Sequence, residues 1–213
     1  MVTVGRSARG FSGRAVCDLA GEPLETTEEE IDVEKGPDVV LPMIMNMWSA
    51  MLGDRPASQV WGVGMGVPAT VEFAAGRTES VRVMASWTGI AIPPIIQERF
   101  DVPVFVDNDV NVIAVGEHRK VYADRFDDLL FVKVSTRIGA GVIAGGGILR
   151  GALGAAGEIG HIPVRDGGGV LCRCGNTDCV DSVASAAAID KHDRGVVVGG
   201  EEQCRPLDGE IVR

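Results

Sequence analysis

The sequence predicts an α/β fold, on three observations. Short apolar runs at 60–66 and 102–106 are each bracketed by segments of helical character, at 38–52, 95–100 and 110–119. Strands that alternate with helices build a sheet covered by helices. The run at 60–66 is apolar without polar alternation, as suits a strand buried on both faces of a parallel sheet. The chain has 213 residues, 46% of them hydrophobic, which is enough to bury a sizeable core in one large domain or two small ones.

In chain order, residues 16–24 contain Asp18-Leu19-Ala20-Gly21, a strand running into a turn, and the acidic stretch 25–34 reads as a solvated strand or loop. Asp38 can cap a helix whose apolar residues Val40, Ile44, Met47, Trp48 and Met51 follow the 3.6-residue period, with Gly53 as its stop. Pro42 lies near the first turn, where it does least harm, and the Met-rich face is core filler. The strand at 60–66 ends at Val67-Pro68. A helix at 95–100, a strand at 102–106 and a helix at 110–119 follow. Strands at 129–134 and 140–144 lead to a Gly145-Gly146-Gly147 turn. No internal repeat or low-complexity block stands out.

Composition narrows the function classes. The net charge is −10 and aromatic residues make up 5%. The acidic balance repels phosphate backbones, and no Lys/Arg cluster forms a basic patch, so nucleic acid is not an expected partner of this chain. No stretch approaches the roughly 20 apolar residues that span a bilayer, and the amino terminus lacks a charged region followed by an apolar run. A membrane is likewise not expected, and the expected compartment is the cytoplasm.

Three of the five cysteines fall within eight residues, Cys172, Cys174 and Cys179, with His161 just upstream. One His and three Cys form a complete tetrahedral zinc set with no position for a reactive water, so the expected metal role is structural. Cys172 and Cys174 can reach one ion from a turn kept open by Gly175. The alternative is a group of ordinary buried thiols. A disulfide is less in keeping with the one-residue spacing and with the distant singletons Cys17 and Cys204.

A second chemical signal is Asp107-Asn108-Asp109-Val110-Asn111, where an apolar strand runs straight into a helix. Ligands in α/β sheets bind at the carboxyl ends of strands. Asp109 can act as a general base and Asn108 can offer a donor and an acceptor to a polyol. Taken alone, the same residues read better as an Asp/Asn helix cap.

The order of segments resembles the ROK family of repressors, open reading frames and sugar kinases, within the actin-like ATPase superfamily. The resemblance runs from about residue 15 to 188. It rests on Asp18-Leu19-Ala20-Gly21, the 62–68 segment, Pro103 to Asn111 with Gly116-Glu117, Gly139-Ala140-Gly141, Gly157-Glu158-Ile159-Gly160-His161, and the cysteine cluster. It implies an actin-like (ribonuclease H-like) fold with an amino-terminal lobe at 1–120, the start of a second lobe with the zinc loop at 121–190, and an atypical tail at 191–213. It also implies that Asn108 contacts a hexose or N-acetylated hexosamine, that Asp109 is the base for a sugar hydroxyl attacking ATP, and that Glu158 and His161 bond sugar hydroxyls, His161 while ligating zinc. A further sugar-contacting carboxylate falls on Asp181. Family members commonly form homodimers, and kinases among them use Mg-ATP.

The sequence departs from that pattern in four places. Asp181 stands for Glu and is shorter by about 1.5 Å, so its bond to sugar is expected to pass through water. Asp178 stands for a Gly of the zinc loop, a position where Asp tolerates positive φ. The first phosphate loop, Asp-x-Gly-x-Thr, is replaced by Arg6, Ala8 and Gly10. The second, Gly-Thr-Gly-x-Gly, reads Ser135-Thr136-Arg137-Ile138-Gly139. This keeps Thr136 and Gly139 as the nucleotide-facing residues but puts a bulky Arg where close approach favours Gly. After residue 188 only about 25 residues remain of what the family pattern continues as helices and strands, and Val196 to Gly200 only faintly resembles its late strand. The expectation is a truncated or diverged ROK protein whose sugar side is better kept than its nucleotide side. Three readings follow: a glucokinase-like sugar kinase, the sugar-sensing domain of a ROK transcriptional regulator without its helix-turn-helix, or a non-functional remnant.

Overall fold

The computed structural model describes residues 11–79 and 85–195. Arg6, Ala8, Gly10 and the tail from 196 onward, with its Val196 to Gly200 run, lie outside the described residues. Strands β1 (Phe11–Cys17) and β2 (Pro23–Glu30) form an antiparallel hairpin. Asp18 closes its turn, Oδ1 accepting the N–H groups of Ala20 and Glu22, each at 2.9 Å. The acidic β2 is exposed along its whole length, while β1 sends Arg14 and Val16 into the interior.

Helix α1 (Pro37–Leu52) turns Val40, Leu41, Ile44, Met45, Trp48 and Met51 inward, the periodicity the sequence displays. Its amino-terminal cap is Gly36, at φ 85°, and not Asp38. Pro37 explains the difference: it lacks an N–H and its ring fixes φ, so it fits the first helical position. Asp38 falls in the first turn, where its charge faces the positive end of the helix. Pro42 lies inside the helix, and Gly53 ends it by donating to Ser49 O and Ala50 O.

Strand β3 (Val63–Val67) is followed by the short antiparallel pair β4 (Val71–Glu72) and β5 (Arg77–Thr78). Helix α2 (Ile92–Gln97) begins three residues before the predicted 95–100 segment, because Pro93 and Pro94 occupy a first turn that needs no donors. Strand β6 (Val104–Asn108) pairs in parallel with β3, from Val63 opposite Val104 to Val67 opposite Asn108. Valines of both strands, Ile92 and Ile96 of α2, and the inner face of α1 make one core. Each such side chain contributes about 1.5–3 kcal/mol by leaving water. Trp48 meets Phe100 edge-on, with ring centroids 6.0 Å apart.

Helix α3 (Asp109–Glu117) follows β6 without a loop. Strands β7 (Leu129–Val134), β8 (Ile138–Ala144) and β9 (Gly147–Leu149) form an antiparallel sheet, with Gly145 and Gly146 at positive φ in the tight turn between β8 and β9. The chain ends its described course in α4 (Val180–Ala184) and α5 (Ala186–Gly195). Helix α3 lies hard against β8. A Cβ on Gly141 would collide with Ala114 Cβ and sit 2.9 Å from Val110 O. Among the described residues no helix is long and apolar enough to cross a membrane.

Candidate functional site

At the end of β6 the three residues 107–109 take three different tasks. Asn108 caps α3: its Oδ1 accepts the Val110 N–H at 2.8 Å, while its Nδ2 donates to Ala69 O at 3.0 Å. Asp107 is buried and fully partnered. Its Oδ1 accepts from Asn108 N–H at 2.8 Å and Asn111 Nδ2 at 3.0 Å, and its Oδ2 accepts from Arg150 Nε at 2.8 Å. The Arg150 guanidinium stacks 3.5 Å from the centroid of the Phe73 ring. Asp109 is the first residue of α3 and only 4% exposed, and its Oδ2 accepts from Lys133 Nζ at 2.6 Å. The helix amino terminus favours that negative charge.

The Gly157-Glu158-Ile159-Gly160-His161 loop is pressed against β8. The Ala140 N–H donates to Gly157 O at 2.8 Å, and Gly157 holds φ 88°. A Cβ on Gly157 would collide with the Ala140 carbonyl, and one on Gly160 with the Ile138 carbonyl. This close approach sets Glu158 with Oε1 3.5 Å from Thr70 Oγ1 and Oε2 3.6 Å from His161 Nε2. Burial pushes the Glu158 carboxyl above its ordinary value. His161 and the Thr70 hydroxyl pull it back, while Asp109 and Asp181 push it further up. Three carboxylates from distant parts of the chain thus share one neighbourhood.

Asp181, in the first turn of α4, faces the hairpin between β7 and β8. Its Oδ1 accepts the Ile138 N–H at 2.8 Å and its Oδ2 lies 3.6 Å from Arg137 Nη1. Burial lowers the Arg137 value and Asp181 opposes that shift. In the turn itself the Ser135 N–H donates to Arg137 O at 3.1 Å, with Thr136 at the tip. Gly139 sits on β8 opposite Lys133, where a Cβ would rest 3.4 Å from Val110 Cγ2.

The ligand atoms of His161, Cys172, Cys174 and Cys179 all lie within 4.8 Å of one another. Cys172 Sγ is 3.6 Å from His161 Nδ1, and Cys174 Sγ is 3.6 Å from Cys179 Sγ. A tetrahedral zinc with its usual bond lengths separates two sulfurs by about 3.8 Å and a sulfur from a nitrogen by about 3.6 Å. The cluster therefore fits zinc, with Nδ1 of His161 toward the cysteines and Nε2 toward Glu158. Asp178 takes φ 59° in this loop and its Oδ1 accepts the Val170 N–H, so the residue in place of Gly keeps the turn. Burial pushes the Cys179 thiol up to about 12, while a backbone hydrogen bond at Asn176 draws Cys174 below its ordinary value.

Lys133, Thr70 and Arg150 carry no motif and are not singled out by sequence, and Asp107, though within the 107–111 motif, is given no role there. One signal exists for Lys133. Leu130, Val132 and Val134 form the exposed face of β7, so strand alternation turns Lys133 to the inner face with Leu129 and Phe131.

A family model described as the ROK family matches residues 13–207. The chain belongs to the ROK family. A glucokinase of Halalkalibacterium halodurans is 34% identical over 177 residues, 82% of this chain and 53% of its own length. A xylose repressor of Caldicellulosiruptor bescii is 35% identical over 174 residues, 81% of this chain and 43% of its own length. Among solved structures, a ROK family transcriptional regulator homologous to the Escherichia coli MLC protein superposes with TM-score 0.76 at 28% identity, over 95% of this chain and 51% of that one. A ROK family glucokinase from Streptomyces griseus, in complex with glucose and AMPPNP, gives TM-score 0.76 at 25% identity over 89% and 58%. This ROK chain spans about half the length of the curated relatives it matches. Over the part it covers, it has the actin-like fold of the ROK kinases and regulators it superposes on.

Proposed function

We propose that this ROK chain binds a hexose or an N-acetylated hexosamine between its 1–120 and 121–190 parts, beside a structural zinc. Asp109 and Glu158 accept hydrogen bonds from sugar hydroxyls, Asn108 holds the helix that presents Asp109, and Asp181 closes the site from α4. His161 ligates the metal through Nδ1 and turns Nε2 to the sugar, with Cys172, Cys174 and Cys179 completing the ligand set. The observation that carries this reading is that Glu158 faces both His161 and Thr70, next to the Ala69 carbonyl held by Asn108 beside Asp109, while a Cβ on Gly160 would lie 3.4 Å from Asp181 Cβ. Carboxylates and an imidazole grouped around Asp109, which follows the carboxyl end of the parallel strand β6, suit a polyol. The Streptomyces relative, whose structure holds glucose, supports a hexose as the ligand.

Phosphoryl transfer is the second half of what family membership suggests, and the β7–β8 turn does not fit a nucleotide phosphate. Thr136 and Gly139 are the residues a phosphate would meet there, but Arg137 stands between them and is paired with Asp181. Repressors among the relatives favour a second reading of the same pocket, as the effector domain of a transcriptional regulator. Calorimetry with glucose, mannose and N-acetylated hexosamines, with Asp109→Asn as control, tests binding. One sugar bound per chain and lost in the variant is the expected result; no heat from any of them refutes it. Sugar-dependent ATP turnover would add transfer to the function.

A further inference from the structure

The β7–β8 hairpin carries two cations, and each is spent on a carboxylate of the proposed sugar site. Lys133 Nζ lies 2.6 Å from Asp109 Oδ2, with side chains 16% and 5% exposed. Arg137 Nη1 lies 3.6 Å from Asp181 Oδ2, at 30% and 12%. Two backbone donors at the turn are committed as well: the Ile138 N–H to Asp181 Oδ1 and the Ser135 N–H to Arg137 O. A phosphate cradle works by presenting free backbone N–H groups to the anion.

We infer that Lys133 and Arg137 are positioning residues that hold Asp109 and Asp181 for an uncharged sugar and commit the hairpin to the sugar side, so that this chain binds hexose independently of nucleotide. The inference rests on the sugar-binding reading above and adds to it the residues that shape the site. Lys133 fixes Oδ2 of Asp109 by a charge-assisted hydrogen bond, which is shorter and stronger than a neutral one. Oδ1 is left as the oxygen for a sugar hydroxyl. Arg137 does for Asp181 what a longer acidic side chain would otherwise do by reach, anchoring it against the hairpin. With two cations on two acids, the pocket presents little net charge to the ligand from these pairs, as fits a neutral polyol. A nucleotide phosphate at the Ile138 N–H or at Arg137 Nη1 would compete with Asp181 for those donors.

The test is calorimetry on the full chain with the tightest hexose of the panel, using Lys133→Met, Lys133→Arg, Arg137→Gly and the wild type, each with and without Mg-AMPPNP. Folding of each variant is checked by circular dichroism and zinc content. Lys133→Met is expected to weaken hexose binding about tenfold or more, with Lys133→Arg within about threefold of wild type. The Lys133→Met variant should also change the ratio of affinities for glucose and mannose, which a loss of stability alone does not. Mg-AMPPNP should neither bind wild type nor alter its hexose isotherm. Equal hexose affinity in wild type and Lys133→Met, or nucleotide binding that tightens the hexose, overturns the inference and leaves the sugar-binding reading intact. No hexose bound by wild type overturns both. Should Lys133→Met not fold, Arg137→Gly, with Arg137→Lys as its rescue, carries the same comparison.

Discussion

Replacing Gly141 by Ala tests how helix α3, and with it Asp109, is seated on the second sheet. Gly141 has no unusual backbone angle, so the effect of the substitution is one of space. The added Cβ would lie 2.9 Å from Val110 O, about 0.5 Å inside ordinary contact, and would overlap the methyl of Ala114. Both neighbours belong to α3, so the helix must retreat from β8. Overpacking of this kind costs about 1–3 kcal/mol, set against the roughly 0.5–1 kcal/mol that Ala gains over Gly inside a strand. Gly139, two residues away on the same strand, supplies the control, since a Cβ there meets only Val110 Cγ2 at 3.4 Å. Urea unfolding should place Gly141→Ala about 2 kcal/mol below Gly139→Ala. Adding Ala114→Gly should return part of that loss, less the roughly 1 kcal/mol that Gly costs in a helix. Equal stability of the two single variants would refute the close seating of α3 on β8.

Two further variants probe the site directly. Cys172→Ser with Cys174→Ser should abolish bound zinc, measured by elemental analysis of protein purified without a histidine tag, where the unaltered chain carries about one ion per molecule. A fully folded unaltered chain without metal contradicts the assignment. Arg150→Ala removes both the partner of Asp107 Oδ2 and the stack on Phe73, leaving a buried acid short of a donor. The expected loss in urea unfolding is about 2 kcal/mol, part of it recovered when Asp107→Asn is added. No recovery would mean that the loss comes from the stack alone.

The sequence made the strand-helix order, the buried parallel character of the 60–66 run and the metal cluster legible, because each rests on local spacing or on composition that tertiary structure does not rewrite. Residue pairs were harder. The Asn108 reading did not have to choose between cap and site, since the side chain that caps α3 also ties it to Ala69. The start of α1 moved from Asp38 to Gly36 because Pro37 at the first helical position outweighs an Asp side-chain cap. Sequence spacing gives no sign that Asp181 also holds the β7–β8 hairpin, through the Ile138 N–H and Arg137. Nothing in sequence spacing shows that Lys133, 24 residues from Asp109, meets it on the facing strand. Such pairs depend on sheet register, which is fixed only when the hairpin has folded.

The account joins the metal loop to the sugar site through the two nitrogens of His161, and that link is open to one direct measurement. Zinc is removed with a chelator, hexose affinity is measured by calorimetry on the metal-free chain, and the titration is repeated after one equivalent of zinc is restored. The metal and its outer shell support each other, and breaking that support by mutation typically costs about 10–100-fold in metal affinity or activity. The expected result is a fall of at least about tenfold on stripping and full recovery with zinc. Hexose affinity unchanged in folded, metal-free protein would contradict the account.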